Sequence, residues 1–66
     1  MKLFKLPDTT VIDLSQVESV TRLYQLDEDS VELFEIVMRS RQTFALEETM
    51  LSREVFLQVW AQSQLN

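Results

Sequence analysis

The chain has 66 residues, a net charge of −5 at pH 7, and no cysteine, histidine or glycine. It therefore has no disulfide staple or thiolate metal site, and it lacks the commonest metal ligand and general base. Its negative charge argues against nonspecific attraction to nucleic acid or anionic lipid, and no stretch approaches the ~20 apolar residues of a membrane span.

A chain this short is expected to form a single domain, residues 1–66. It buries only about 60% of the surface its unfolded form exposes, so its core supplies roughly 3–5 kcal/mol. Folding must rest on apolar packing, with self-association as a further source of stability. The opening run Met1-Lys2-Leu3-Phe4 is cut by Pro7-Asp8 too early for a signal peptide, so the expected compartment is the cytoplasm.

Residues 2–6 read as a short strand and Pro7-Asp8-Thr9-Thr10 as a turn, because Pro presets φ and Asp can bond its own backbone two residues on. Residues 11–14 return as a second strand, closing an N-terminal hairpin that Leu14-Ser15-Gln16 ends. Residues 17–26 form the next strand, and Asp27-Glu28-Asp29-Ser30 its turn. Without glycine, and with asparagine present only as the last residue, tight I′ and II′ turns are disfavoured. Four-residue, type I-like connections are expected instead.

Residues 31–38, V-E-L-F-E-I-V-M, carry bulky apolar side chains on both alternating faces. A strand with one wet face would not, so this strand should be central in an antiparallel sheet. A four-residue loop at 27–30 sets Leu26 against Val31, Tyr24 against Leu33, and Arg22 against Glu35, an opposite-charge pair. That register places Val20, Tyr24, Leu26, Val31, Leu33 and Val37 on one face, and Leu23, Phe34, Ile36 and Met38 on the other. Arg39-Ser40-Arg41-Gln42 is a polar turn into a strand at 43–47. The same counting puts Phe44 and Leu46 on the Leu33 and Val37 face, and a one-residue slip would reverse it.

The strand signal stops at Glu47-Glu48-Thr49. Ser52 is a good N-cap, Leu51 and Phe56 have the spacing of a hydrophobic staple, and Glu54 lies in the first turn. Val55, Phe56, Val59 and Trp60 then form a helical stripe, so a helix is expected over 53–64. Twelve residues are marginal alone in water, so the stripe must dock.

The expected fold is α+β: a small antiparallel sheet of four to five strands, a β-meander able to curl toward a half-barrel, with one C-terminal helix packed on one face. The order of sheet then helix is loosely similar to the closing part of a PH-like domain. The chain is too short for that full fold and carries no motif of it, so no family is assigned.

Catalysis fits poorly. A Ser or Thr nucleophile has no His to activate it, and both lysines, Lys2 and Lys5, lie near the N-terminus. No catalytic, cofactor-binding or metal-binding residue is assigned. Asp27-Glu28-Asp29 reads as a solvated hairpin tip, since it lacks the central Gly and distant Glu of a calcium loop. Trp60 reads as core on the helix stripe, and Arg39, Arg41 and Arg53 as solubilising charge rather than a phosphate contact. One helix can cover only one face of the sheet. The N-terminal hairpin, through Leu3, Phe4, Leu6, Val11 and Ile12, should curl over the other incompletely, so the remaining patch should associate with a second copy or a partner. The interface candidates are Tyr24, Leu33, Val37, Phe44 and Leu46. The expected function is a small acidic protein–protein interaction module, an adaptor or regulatory subunit, with a protein partner and a homodimer, and no nucleic-acid or membrane binding. The alternative is an acidic nucleic-acid-mimic inhibitor of a DNA- or RNA-acting protein, of phage or plasmid type, because residues 8–35 hold eight acids against the single base Arg22.

Overall fold

The computed structural model describes residues 2–65. Five strands and one helix follow in order: β1 Leu3–Lys5, β2 Val11–Asp13, β3 Val17–Val20, β4 Leu33–Met38, β5 Thr43–Glu47 and α1 Arg53–Gln64. A 3-10 turn, Leu14–Gln16, joins β2 to β3. All pairing is antiparallel, so the α+β class holds. The strands do not make one sheet of four to five. They divide into a β1-β2 hairpin and a three-stranded β3-β4-β5 sheet, because the 3-10 turn breaks the chain out of β2 and neither hairpin strand bonds to the larger sheet.

β4 is the central strand. Phe34, Ile36 and Met38 point into the core, while Leu33, Glu35 and Val37 on the other side are half-buried. Each β4 residue shares its face with the residue opposite it on β5, so the pairs Phe34–Leu46 and Ile36–Phe44 bring Phe44 and Leu46 to the inner face. The expectation that they share the Leu33 and Val37 face is corrected. The cause is loop length. Met38 donates its amide to the Gln42 carbonyl at 2.8 Å and Arg41 donates to Met38 at 2.9 Å, which leaves a three-residue loop, Arg39-Ser40-Arg41. Such a loop needs its third residue in the left-handed region, and Arg41 takes it at φ 79°.

The first hairpin repeats the device. Leu6 donates to Thr10, Thr9 donates to Leu6, and Thr9 sits at φ 73°. The glycine-free chain thus makes both turns with three residues rather than four, by holding non-glycine residues where glycine is usual.

β3 is far shorter than residues 17–26. Its pairing shifts register between Val17 and Ser19. Beyond Val20, the Thr21 carbonyl is taken by the Arg53 guanidinium (Nε at 2.7 Å), and the Thr21 hydroxyl accepts the Glu35 amide in its place at 2.9 Å. Pairing resumes at Tyr24–Leu33, displaced by one residue. Two expectations fail as a result. Val20 pairs with Ile36 and so faces inward, and Thr21 rather than Arg22 lies opposite Glu35, its amide donating to the Glu35 carbonyl at 2.9 Å.

The inner face of the larger sheet carries Val17, Val20, Phe34, Ile36, Met38, Phe44 and Leu46, and both the hairpin and the helix pack on it. Leu6, Ile12 and Leu14 enter from the hairpin side and Phe56 from the helix. Phe56 meets Phe4 edge-on at 5.5 Å between ring centroids and Phe34 at 6.5 Å. Hairpin and helix therefore share one face instead of taking one each.

Candidate interaction surface

The outer face of the three-stranded sheet is built by register. Ser19, Val37 and Thr43 form one row across it, and Tyr24, Leu33 and Glu47 another, with Glu35 and Ala45 paired between. Of the five interface candidates, Tyr24, Leu33 and Val37 lie together here and are half-buried. Phe44 and Leu46 do not join them. Leu46 is in the core, and Phe44, on the same inner face, packs against that core. The outer face is therefore mixed rather than oily.

Its most specific contact is polar. The Tyr24 hydroxyl donates to the Glu35 carboxylate (Oε2) at 2.8 Å. This hydrogen bond first, then desolvation and the nearby negative charge, raises the phenol above its ordinary value. Tyr24, not Arg22, is the partner of Glu35. Counting registers could not find this, because the phenol reaches past its own pair to the next residue on the face.

The two edges of the sheet differ. The β3 edge is interrupted at Glu18 by the register shift and again after Val20. The β5 edge is regular over Thr43–Glu47. Met38 donates to Gln42 and Glu48 donates to Glu32, so the even-numbered residues between them turn their backbone groups toward β4. Thr43, Ala45 and Glu47 turn theirs outward, and all three are exposed. The Glu47 carbonyl accepts from Met50 and Leu51 at 2.9 and 3.1 Å. The amides of Thr43, Ala45 and Glu47 and the carbonyls of Thr43 and Ala45 form an open strand edge. Open grooves flank it: one of about 220 Å³ runs beside Ile12, Met38, Gln42 and Phe44, and one of about 200 Å³ beside Pro7, Asp8, Leu46 and Met50.

The charged candidates are placed locally. The Asp27 carboxylate accepts its own chain's Asp29 amide at 2.9 Å, and the Ser30 hydroxyl accepts the Asp27 amide at 3.0 Å, which is the bonding of a closed hairpin tip. No group of three or more metal-ligating side chains occurs among the described residues. Asp8 and Asp13 are both held below the usual carboxylate range. The Thr10 amide does this to Asp8, and the Ser15 hydroxyl and amide do it to Asp13. Arg39 and Arg41 are exposed in the β4-β5 loop, whereas Arg53 ties the helix start to Thr21, the residue after β3.

No family model, curated protein or solved structure matched this chain.

The helix adds a further surface. Leu14, Val59, Gln58, Gln62 and Ser63 line an open groove of about 450 Å³ between α1 and the 3-10 turn, and the Lys2 ammonium donates to the Ser63 carbonyl beside it. Trp60 packs against the core, with its indole N–H buried and unpartnered. No helix among the described residues is long and apolar enough to cross a membrane.

Proposed function

We propose that this chain is a small, acidic, non-catalytic protein-interaction module, an adaptor or regulatory subunit, that works through its three-stranded sheet and associates with itself. The observation that carries this reading is the β5 edge: regular, exposed, and with outward backbone groups that no other strand among the described residues takes. Such an edge is a template for an added strand, a recurring way in which a sheet recognises another chain. Tyr24, Leu33 and Val37 lie on the adjoining outer face and supply half-buried apolar surface to the same partner.

The residue inventory points the same way. With no His or Cys, the hydroxyl groups have no ordinary base beside them. The test is a dilution series followed by backbone amide shifts. Self-association moves the amides of 43–47, or those of Tyr24, Leu33 and Val37, as concentration rises. Shifts that stay constant at every concentration would remove self-association from this function.

A further inference from the structure

The edge that β5 leaves open has opposite charges at its two ends. Arg39 and Arg41 sit in the loop that leads into it, and Glu47 and Glu48 close it, with Asp8 beside the Glu47 end. Between them lie Thr43, Phe44, Ala45 and Leu46, with no Lys, Pro or bulge to block an incoming strand. The opposite edge, β3, is broken by register shifts. One edge is guarded and the other is not.

Resting on the interaction-module reading above, we infer that β5 pairs with β5 of a second copy of this chain, antiparallel and centred on Ala45. A strand laid against an identical strand must choose a direction. Parallel pairing sets Arg beside Arg and Glu beside Glu, which is destabilising. Antiparallel pairing sets the cationic end of each copy against the anionic end of the other.

The backbone fixes the register. Only the outward groups of Thr43, Ala45 and Glu47 can bond, so odd-numbered residues must face odd-numbered ones. Full overlap of the five residues then sets Ala45 opposite the partner's Ala45 and Thr43 opposite the partner's Glu47. Ala45 exchanges both bonds with its counterpart. The Glu47 amide donates to the partner's Thr43 carbonyl, and the two-fold repeats that bond. The Glu47 carbonyl, already held by Met50 and Leu51, needs no new partner.

On the inner side Phe44 faces the partner's Leu46, in the space the two flanking grooves leave open. Glu47 lies diagonal to the partner's Arg41, within reach of long side chains. Met50, 64% exposed beside Leu46 and Glu47, is covered by the incoming loop. The product is one six-stranded sheet with a two-fold axis through Ala45. A five-residue edge buries little area, so the dimer is weak and reversible rather than permanent.

Crosslinking tests the register, because the natural chain has no cysteine. Directly bonded residues in antiparallel strands have Cα atoms about 5.5 Å apart, inside the span of a disulfide. Ala45→Cys should form a disulfide dimer under glutathione oxidation while keeping its circular dichroism spectrum. Val37→Cys should stay uncrosslinked, since β4 and the partner's β4 are three strand spacings apart, about 14 Å. Arg41→Glu alone, measured by sedimentation equilibrium, should weaken the dimer, and adding Glu47→Arg should restore it. If the Val37→Cys thiols join and the Ala45→Cys thiols do not, copies meet through the outer face. The edge register is then wrong while the interaction-module reading stands. If neither variant crosslinks and the natural chain sediments as a monomer at every concentration, both the register and the self-association fail.

Discussion

Thr9 carries a conformation that its side chain resists. At φ 73° its branched Cβ crowds the backbone, and only a fixed turn keeps it there. Thr9→Gly should stabilise the protein by about 1 kcal/mol, a rise of roughly 4–8 °C in Tm by thermal denaturation. The same change at Thr10, which has no positive φ, should lower Tm. Tyr24 offers a second test, since it is the single tyrosine and its phenolate absorbance is read without overlap from another. Its folded-state pKa lies above the ordinary 10.0. The Tyr24–Glu35 bond therefore contributes fully below 10.0, and its contribution is lost as pH rises through the folded-state value. Glu35→Gln removes the charge that holds the proton, so the spectrophotometric midpoint should fall back toward 10.0. A midpoint unmoved by that change would show that the carboxylate is not what holds the phenol proton.

At the scale of elements, the helix was legible and the sheet faces were not, for physical reasons. A helix start is written locally, in a cap, a staple and a stripe within a few residues of one another, and Ser52, Leu51, Phe56 and Val59 carry it here. A strand face depends on the turn before it, and there the decisive residue, Arg41, carries no sequence mark of a left-handed conformation. One residue fewer in that loop turned Phe44 and Leu46 inward. Tyr24 and Leu33 are paired as the 27–30 turn predicts, but the Thr21 carbonyl, diverted to Arg53, breaks the ladder between Val20 and Tyr24. Even at the helix start the local reading was incomplete. Ser52 accepts the Val55 amide at a long 3.5 Å, while Glu48, five residues upstream of its donor, accepts the Arg53 amide at 2.8 Å. The shorter, charged bond should matter more. Ser52→Ala should cost about 0.5 kcal/mol and Glu48→Ala about 1–2 kcal/mol in urea denaturation. Equal losses would mean that the serine is the working cap.

For the molecule as a whole, the question is what holds three separate pieces together. The hairpin, the sheet and the helix share no backbone pairing with one another, and the radius of gyration, 11.9 Å, is above the about 11 Å expected at this length. Their union is side-chain packing on one face of β4. Phe34 stands at its centre, fully buried, against the Phe56 ring that also meets Phe4. No second core exists among the described residues to hold a part of the chain when this one is lost. Phe34→Ala removes a buried ring and should cost about 3–5 kcal/mol. That is as large as the whole stability a core of this size supplies, roughly 3–5 kcal/mol. The variant should therefore be largely unfolded at room temperature, with the helix lost along with the sheet, because α1 buries a single residue fully and that residue leans on Phe34. Far-ultraviolet circular dichroism reads the helix, and amide hydrogen exchange reads β4. A Phe34→Ala protein that kept its helix and a near-normal Tm would mean that the three pieces are joined elsewhere than across this ring.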